Sequence, residues 1–140
     1  NQASTTYRFI ESKCELDSRA DTICCGNNFA PIVYTGQTCD VNGFHGSLDT
    51  ISDVPVATCA TVWTHASGRK YILVVNEALY FGESMDHSLI NPNQIRSFGI
   101  DVWDNPYDRD RDFGINADNL LITFSTEGST VYSLAIAARY

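Results

Sequence analysis

Apolar and polar residues alternate along most of this chain, the period of half-buried strands. Thr5 to Leu16 mixes β-branched, aromatic and alternating polar residues, as one bent strand or two short ones would. A short apolar strand is predicted over Thr22 to Cys25, followed by a turn at Gly26-Asn27-Asn28. Tyr34 to Gln37 reads as a turn, and Gln37 to Phe44 as a strand broken at Asn42-Gly43. Val54 to Thr64 alternates cleanly, and Ala66-Ser67-Gly68 turns the chain. Lys70 to Asn76 is apolar on both faces, which predicts a central strand buried on both sides, with Ala78 to Gly82 as another strand. Ile100 to Trp103, Leu120 to Ser125 and Thr130 to Ala137 complete the set, and Glu127-Gly128 joins the last two as a hairpin.

One helix interrupts this pattern, over residues 92–98. Asn91 stands at the N-cap, Pro92 at the first helical position, Ile95 and Phe98 on one face, and Gly99 at the stop. Many short strands with one small helix predict an all-β fold, a closed or partly closed barrel. The 140 residues suit one domain spanning 1–140 and can bury roughly two-thirds of the unfolded surface.

Charge narrows the partners. Net charge is −8 with nine Lys and Arg, too few for a clustered phosphate-binding surface, so nucleic acid is not expected. No stretch approaches the ~20 apolar residues of a membrane span, and no signal-peptide pattern is visible. Asn1 in place of Met suggests a processed product, a fragment of a longer polyprotein or an expressed piece of one. The five cysteines include no CxxC, which speaks against zinc. They read as reduced buried thiols or as one or two disulfides of an extracellular protein. The lack of an N-x-Ser/Thr sequon favours the first, intracellular reading.

The chemistry centres on ELDSRADT, residues 15–22. Asp17 ends a predicted strand, with Ser18 beside it and Asp21 four residues on. Aspartic proteolysis needs two carboxylates a few Å apart that share one proton, one acting as base on water and the other as acid. A single copy of the motif therefore calls for a two-fold homodimer that pairs two Asp17 residues. Other constellations are weaker. Asp108 to Gly114 spaces acidic residues as calcium loops do, but the glycine is displaced, Asn119 stands where a closing glutamate is expected, and Arg109 and Arg111 interleave. A solvated charged loop accounts for it. His45, His65 and His87 share no metal-ligand spacing, and Trp63 and Trp103 read as packing residues.

ELDSRADT resembles the LD-[ST]-G-A-[DST] loop of retroviral and retrotransposon aspartic proteases. EALYFGESMDHSLINPNQIRSFGIDV resembles a copia-type retrotransposon protease, in which an apolar "LYVP" strand precedes "NLLSVSQL", a glycine and another strand. The resemblance spans roughly residues 5–137, including the tail GSTVYSLAIA. It implies a retropepsin-like barrel and a homodimer that needs no cofactor or metal and cleaves extended polypeptide. Asp17 would be the catalytic carboxylate, Ser18 would lock the paired loops, and Ala20 would pack beneath them. Asp21, next to Thr22 in the same loop, would hold substrate backbone or pair with a basic group near the dimer interface. Residues 42–53 would form a flap in which Gly43 and Gly46 give freedom and His45 touches substrate.

The resemblance breaks at Arg19, where the family carries glycine that leaves room for substrate. Either the guanidinium points away or aids binding and the enzyme works, or it pairs with Asp17 or Asp21 and lowers that carboxyl's pKa, and the fold persists without catalysis. A non-catalytic descendant would be a self-assembling filament or coat subunit, or a module that binds peptides without cutting them, and read alone DSRAD is simply a solvated Asx-type turn.

Overall fold

The structure, a computed structural model, describes residues 8–20, 22–42 and 50–139. It is mostly β, with one short α-helix. In chain order the strands are β1 (Arg8–Leu16), β2 (Cys24–Cys25), β3 (Ala30–Asn42), β4 (Thr50–Thr64), β5 (Lys70–Tyr80) and β6 (Ser88–Ile90). Then come helix α1 (Pro92–Ser97), β7 (Asp101–Trp103), β8 (Gly114–Ala117), β9 (Leu120–Thr123), β10 (Ser125–Glu127) and β11 (Thr130–Arg139).

Eight strands form one sheet in the order β10-β11-β1-β6-β2-β5-β4-β3, and β7-β8-β9 form a second. β11 also meets β4 at Ile136–Val62, so six strands close into a sheet ring through one bridge. β1 runs parallel to β6, and β2 runs parallel to β5. Arg96 joins α1 to the second sheet, donating to the Val102 carbonyl at 2.9 Å.

Strand period explains the core. Cys24 and Cys25 are neighbours, so their side chains point to opposite sides of β2. Cys25 joins a cluster with Cys14, Phe29, Cys59 and Ile90. Cys24 joins a different cluster with Ala20, Val54, Leu79, Phe81 and Leu89. β2 and its neighbours are thus a wall between two apolar compartments. All five cysteines are free thiols, with four buried and Cys39 exposed.

A buried polar knot ties the wall together. The fully buried Asn28 donates its carboxamide N–H groups to the Ser12 and Lys13 carbonyls, at 3.0 and 3.3 Å. Its Oδ1 accepts from Ser88 Oγ at 2.5 Å, and its main-chain carbonyl accepts from Thr61 Oγ1 at 2.6 Å. Ser88 Oγ in turn accepts from the Gly26 N–H at 2.8 Å. Only glycine fits at 26, since a Cβ there would lie 2.0 Å from the His87 carbonyl oxygen.

Several expectations change. Lys70 to Asn76 is not buried on both faces, and Ile72 is 73% exposed. The cause is that β2 is two residues long and pairs only Leu79 and Tyr80, leaving residues 70–77 of β5 unpaired along one edge. Tyr34 to Gln37 is no chain reversal. It is an irregularity inside β3, with Gly36 at φ 86° and the register shifting between Tyr34 and Thr38. Ala78 to Gly82 is not separate from the preceding strand either. β5 continues to Tyr80 past a second irregularity at Glu77, φ 56°. α1 is capped by Asn91 as expected, but Phe98 is exposed while Ile95 packs on the first cluster.

β8 is a strand that the alternation did not predict. It pairs with β9 through Asp118-Asn119, both at positive φ as a tight two-residue hairpin requires. In the loop before it, Arg111 pairs with Asp101 at 2.8 Å and lies 3.9 Å from the Trp103 ring centre. Trp63 is buried against Tyr71 and His65.

Asn28→Ala would strand two carbonyls and the Ser88 hydroxyl. It should lower unfolding free energy by about 3 kcal/mol, read as a shifted urea midpoint at unchanged slope.

Candidate active site

Asp17 extends the β1–β6 pairing by one residue, its N–H donating to the Ile90 carbonyl at 2.9 Å. The chain then leaves the sheet. The Arg19 N–H donates to Asp17 Oδ1 at 2.9 Å, and the Ala20 N–H to the Asp17 carbonyl at 3.3 Å. This is an Asx-type turn, in which the aspartate organises the backbone that follows it. The carboxylate is half-buried, while Ser18 and Arg19 are exposed. Ala20 is buried in the second apolar cluster, and Thr22 is half-buried.

Two α1-region side chains brace the far end of the loop. Asn91 caps α1 by accepting from the N–H groups of Asn93 and Gln94, at 2.8 and 3.3 Å. Its carboxamide nitrogen meanwhile donates to the Ala20 carbonyl. Gln94 Oε1 accepts from Thr22 Oγ1 at 3.2 Å and from the Ile23 N–H at 2.9 Å. The loop is therefore pinned by β6 at Asp17 and by the helix N-terminal region at Ala20, Thr22 and Ile23. The alternation predicted the helix but not these contacts, because each spans about seventy positions in sequence.

Among the described residues no carboxyl group is hydrogen-bonded to Asp17, and the Arg19 guanidinium makes no ion pair. Nor is the Arg19 backbone at positive φ, so glycine is not required there by conformation. Asp21, Gly43, His45 and Gly46 lie outside the described residues. Of the flap segment 42–53, the structure gives the ends of β3 and β4. Among the described residues no group of His, Cys, Asp and Glu is placed to hold a metal, and no helix is long and apolar enough to cross a membrane.

Cys24 is the nucleophile-bearing neighbour of the loop. Burial, and after it the Asp17 carboxylate, push its thiol up to about 11. Burial pushes Cys14 up to about 12, against a hydrogen bond from Asn28 that lowers it. Cys25 is raised too, by its hydrogen bond with Cys59 and by burial. These thiols stay protonated at neutral pH, and none is an activated thiolate.

Just before β6, His87 lies 2.7 Å from Asp86 and 3.6 Å from Glu15. His65 bonds Ser67 in the turn after β4.

Compared with known proteins, the chain matches no family model, no curated protein and no solved structure.

Two outcomes follow from this geometry. Gln94→Ala should speed hydrogen exchange at the Ile23 amide at least tenfold while leaving the Asp17 amide protected. The thiols give a pH dependence with a definite sign. Above their ordinary pKa of 9.0 the unfolded chain ionises Cys14 and Cys24 while the folded chain cannot. Their stabilising effect is therefore complete below pH 9.0 and erodes toward 11 to 12, by up to about 1.4 kcal/mol per pH unit for each thiol. Chemical denaturation from pH 8 to 11 on the cysteine-intact and Cys14→Ala/Cys24→Ala proteins measures it.

Proposed function

We propose that this chain is an aspartic endopeptidase domain of the retropepsin type, working as a two-fold homodimer with one Asp17 from each subunit. The observation that carries the reading is the Asp17 loop. An aspartate leaves the end of a parallel strand pair, its carboxylate is oriented by a main-chain N–H, and the loop is pinned at both ends. Such pre-organisation is what a catalytic carboxylate needs.

In the dimer the two Asp17 carboxylates share one proton, because like charges that close cannot both ionise. One takes a proton from water, which attacks the scissile carbonyl carbon. The other gives its proton to the carbonyl oxygen, forming a tetrahedral diol. Return of protons to the amide nitrogen expels the amine. The exposed Ser18 hydroxyl would lock the two loops across the axis. The substrate would be an extended polypeptide bound through main-chain hydrogen bonds, with no cofactor. Among the described residues the Arg19 guanidinium makes no ion pair with Asp17, which supports this reading over one in which Arg19 neutralises that carboxylate.

One observation favours a second reading. β3 is a 13-residue strand at the sheet edge, with Ile32, Val33 and Tyr34 exposed. Long edges of this kind pair with other chains, as a filament or coat subunit would.

The test is cleavage of a mixed peptide library from about pH 4 to 7 by this chain and its Asp17→Asn variant, with sedimentation in parallel. Cutting that vanishes in Asp17→Asn, from a dimer, is the expected result, and Arg19→Gly should retain or increase it. A folded sample that cuts nothing and sediments as a concentration-dependent polymer would replace the protease with the structural subunit.

A further inference from the structure

Between the sheet ring and the β7–β9 sheet lies a cavity of about 480 Å³. Ile72 and Val74 of β5, Ile95 of α1, Ile115 of β8, Ile122 of β9 and Leu134 of β11 line it. Its mouth follows the unpaired edge of β5, where Ile72 and Val74 are exposed. Protein interiors leave few voids larger than a water molecule, and an apolar wall offers water no hydrogen bonds. A volume of this size is within the roughly 300–1,000 Å³ of small-molecule sites. The space is walled on both sides by strands and closed by α1, which suits a compact guest and not a flat protein face.

Charge narrows the guest. Among the described residues no Lys, Arg or His lines the cavity, and Glu77, which is exposed, is the charged residue that does. An anion such as a fatty carboxylate finds no counter-charge there. Gln94 supplies a polar contact. Its Oε1 is occupied by Thr22 and Ile23, while its Nε2 donates to no described residue.

We propose that this cavity binds a small uncharged molecule with an apolar body and one hydrogen-bond acceptor, which the Gln94 carboxamide nitrogen anchors. Asp17 is not part of the lining, so the inference stands or falls independently of proteolysis.

Prodan, a neutral naphthalene ketone, is the probe. Trp63 lines the cavity, so indole excitation with transfer to the probe reports binding at this place. The expected result is saturable binding of one Prodan per chain with blue-shifted emission. Affinity should fall at least tenfold in Ala117→Trp, which fills the space, and in Val74→Glu, which places a charge at the mouth. Val74 is 53% exposed, so the second variant keeps the fold if the first does not. 1-Dodecanol should displace the probe at least tenfold better than dodecanoate, and a naphthalene analogue lacking the ketone should bind more weakly. Absence of saturable binding overturns the proposal. So does binding unchanged in a Val74→Glu protein of normal melting temperature, equal displacement by dodecanoate, or probe uptake that tracks self-association in sedimentation, which would make a second copy the occupant.

Discussion

The arrangement of strands rests on a single buried amide. Asn28 reaches β1 through two carbonyls, β6 through Ser88 and β4 through Thr61, and Ser88 holds the main chain at Gly26. Polar groups in a low-dielectric interior are costly unless every one is matched, and here the matching fixes how three strands meet. Apolar packing alone would not set that register, because Cys, Ala and Val side chains tolerate sliding. The knot specifies one alignment, and with it the point at which β1 ends and Asp17 begins.

β2 shows how little strand is needed to organise a core. Two residues separate two apolar compartments, and the helix-side loop hangs from one end of them. The same brevity leaves one edge of β5, opposite β4, without a partner over residues 70–77. An apolar edge and the mouth of a cavity are the result, so packing order in one place and incompleteness in another share a cause.

Features governed by neighbours in sequence were legible in the residues. Asn91-Pro92 announced the helix start, Glu127-Gly128 the turn into β11, and alternation from Val54 to Thr64 the strand, whereas the hairpin partner of β11 is β10 and not Leu120–Thr123, which pairs with β8 in the second sheet. Features governed by distant partners were not. Lys70 to Asn76 looks buried because its composition is apolar, and only the length of β2 decides otherwise. Asn28 looks like an ordinary turn residue, since nothing local reveals the groups waiting for it. Asp118-Asn119 is a tight-turn dipeptide, but β8 before it is only four residues long, too short for alternation to mark it as a strand. The candidate site divides the same way. The Asp17 motif is contiguous and visible, whereas the supports from Asn91 and Gln94 arise only when the chain returns.

Those supports bear on how the chain tolerates length changes. The span from Ile90 through Gln94 holds three attachments in succession: the Ile90 carbonyl to Asp17, the Asn91 side chain to Ala20, and the Gln94 side chain to Thr22 and Ile23. One residue added after Asn91 would turn Gln94 by roughly 100° about the helix axis and carry its carboxamide off the loop. The Asn105–Asp112 stretch makes no such tether to the Asp17 loop among the described residues, and added residues there would be absorbed. Insertions and deletions in related chains should therefore collect in the second stretch and spare the first, whatever happens to the amino acids themselves.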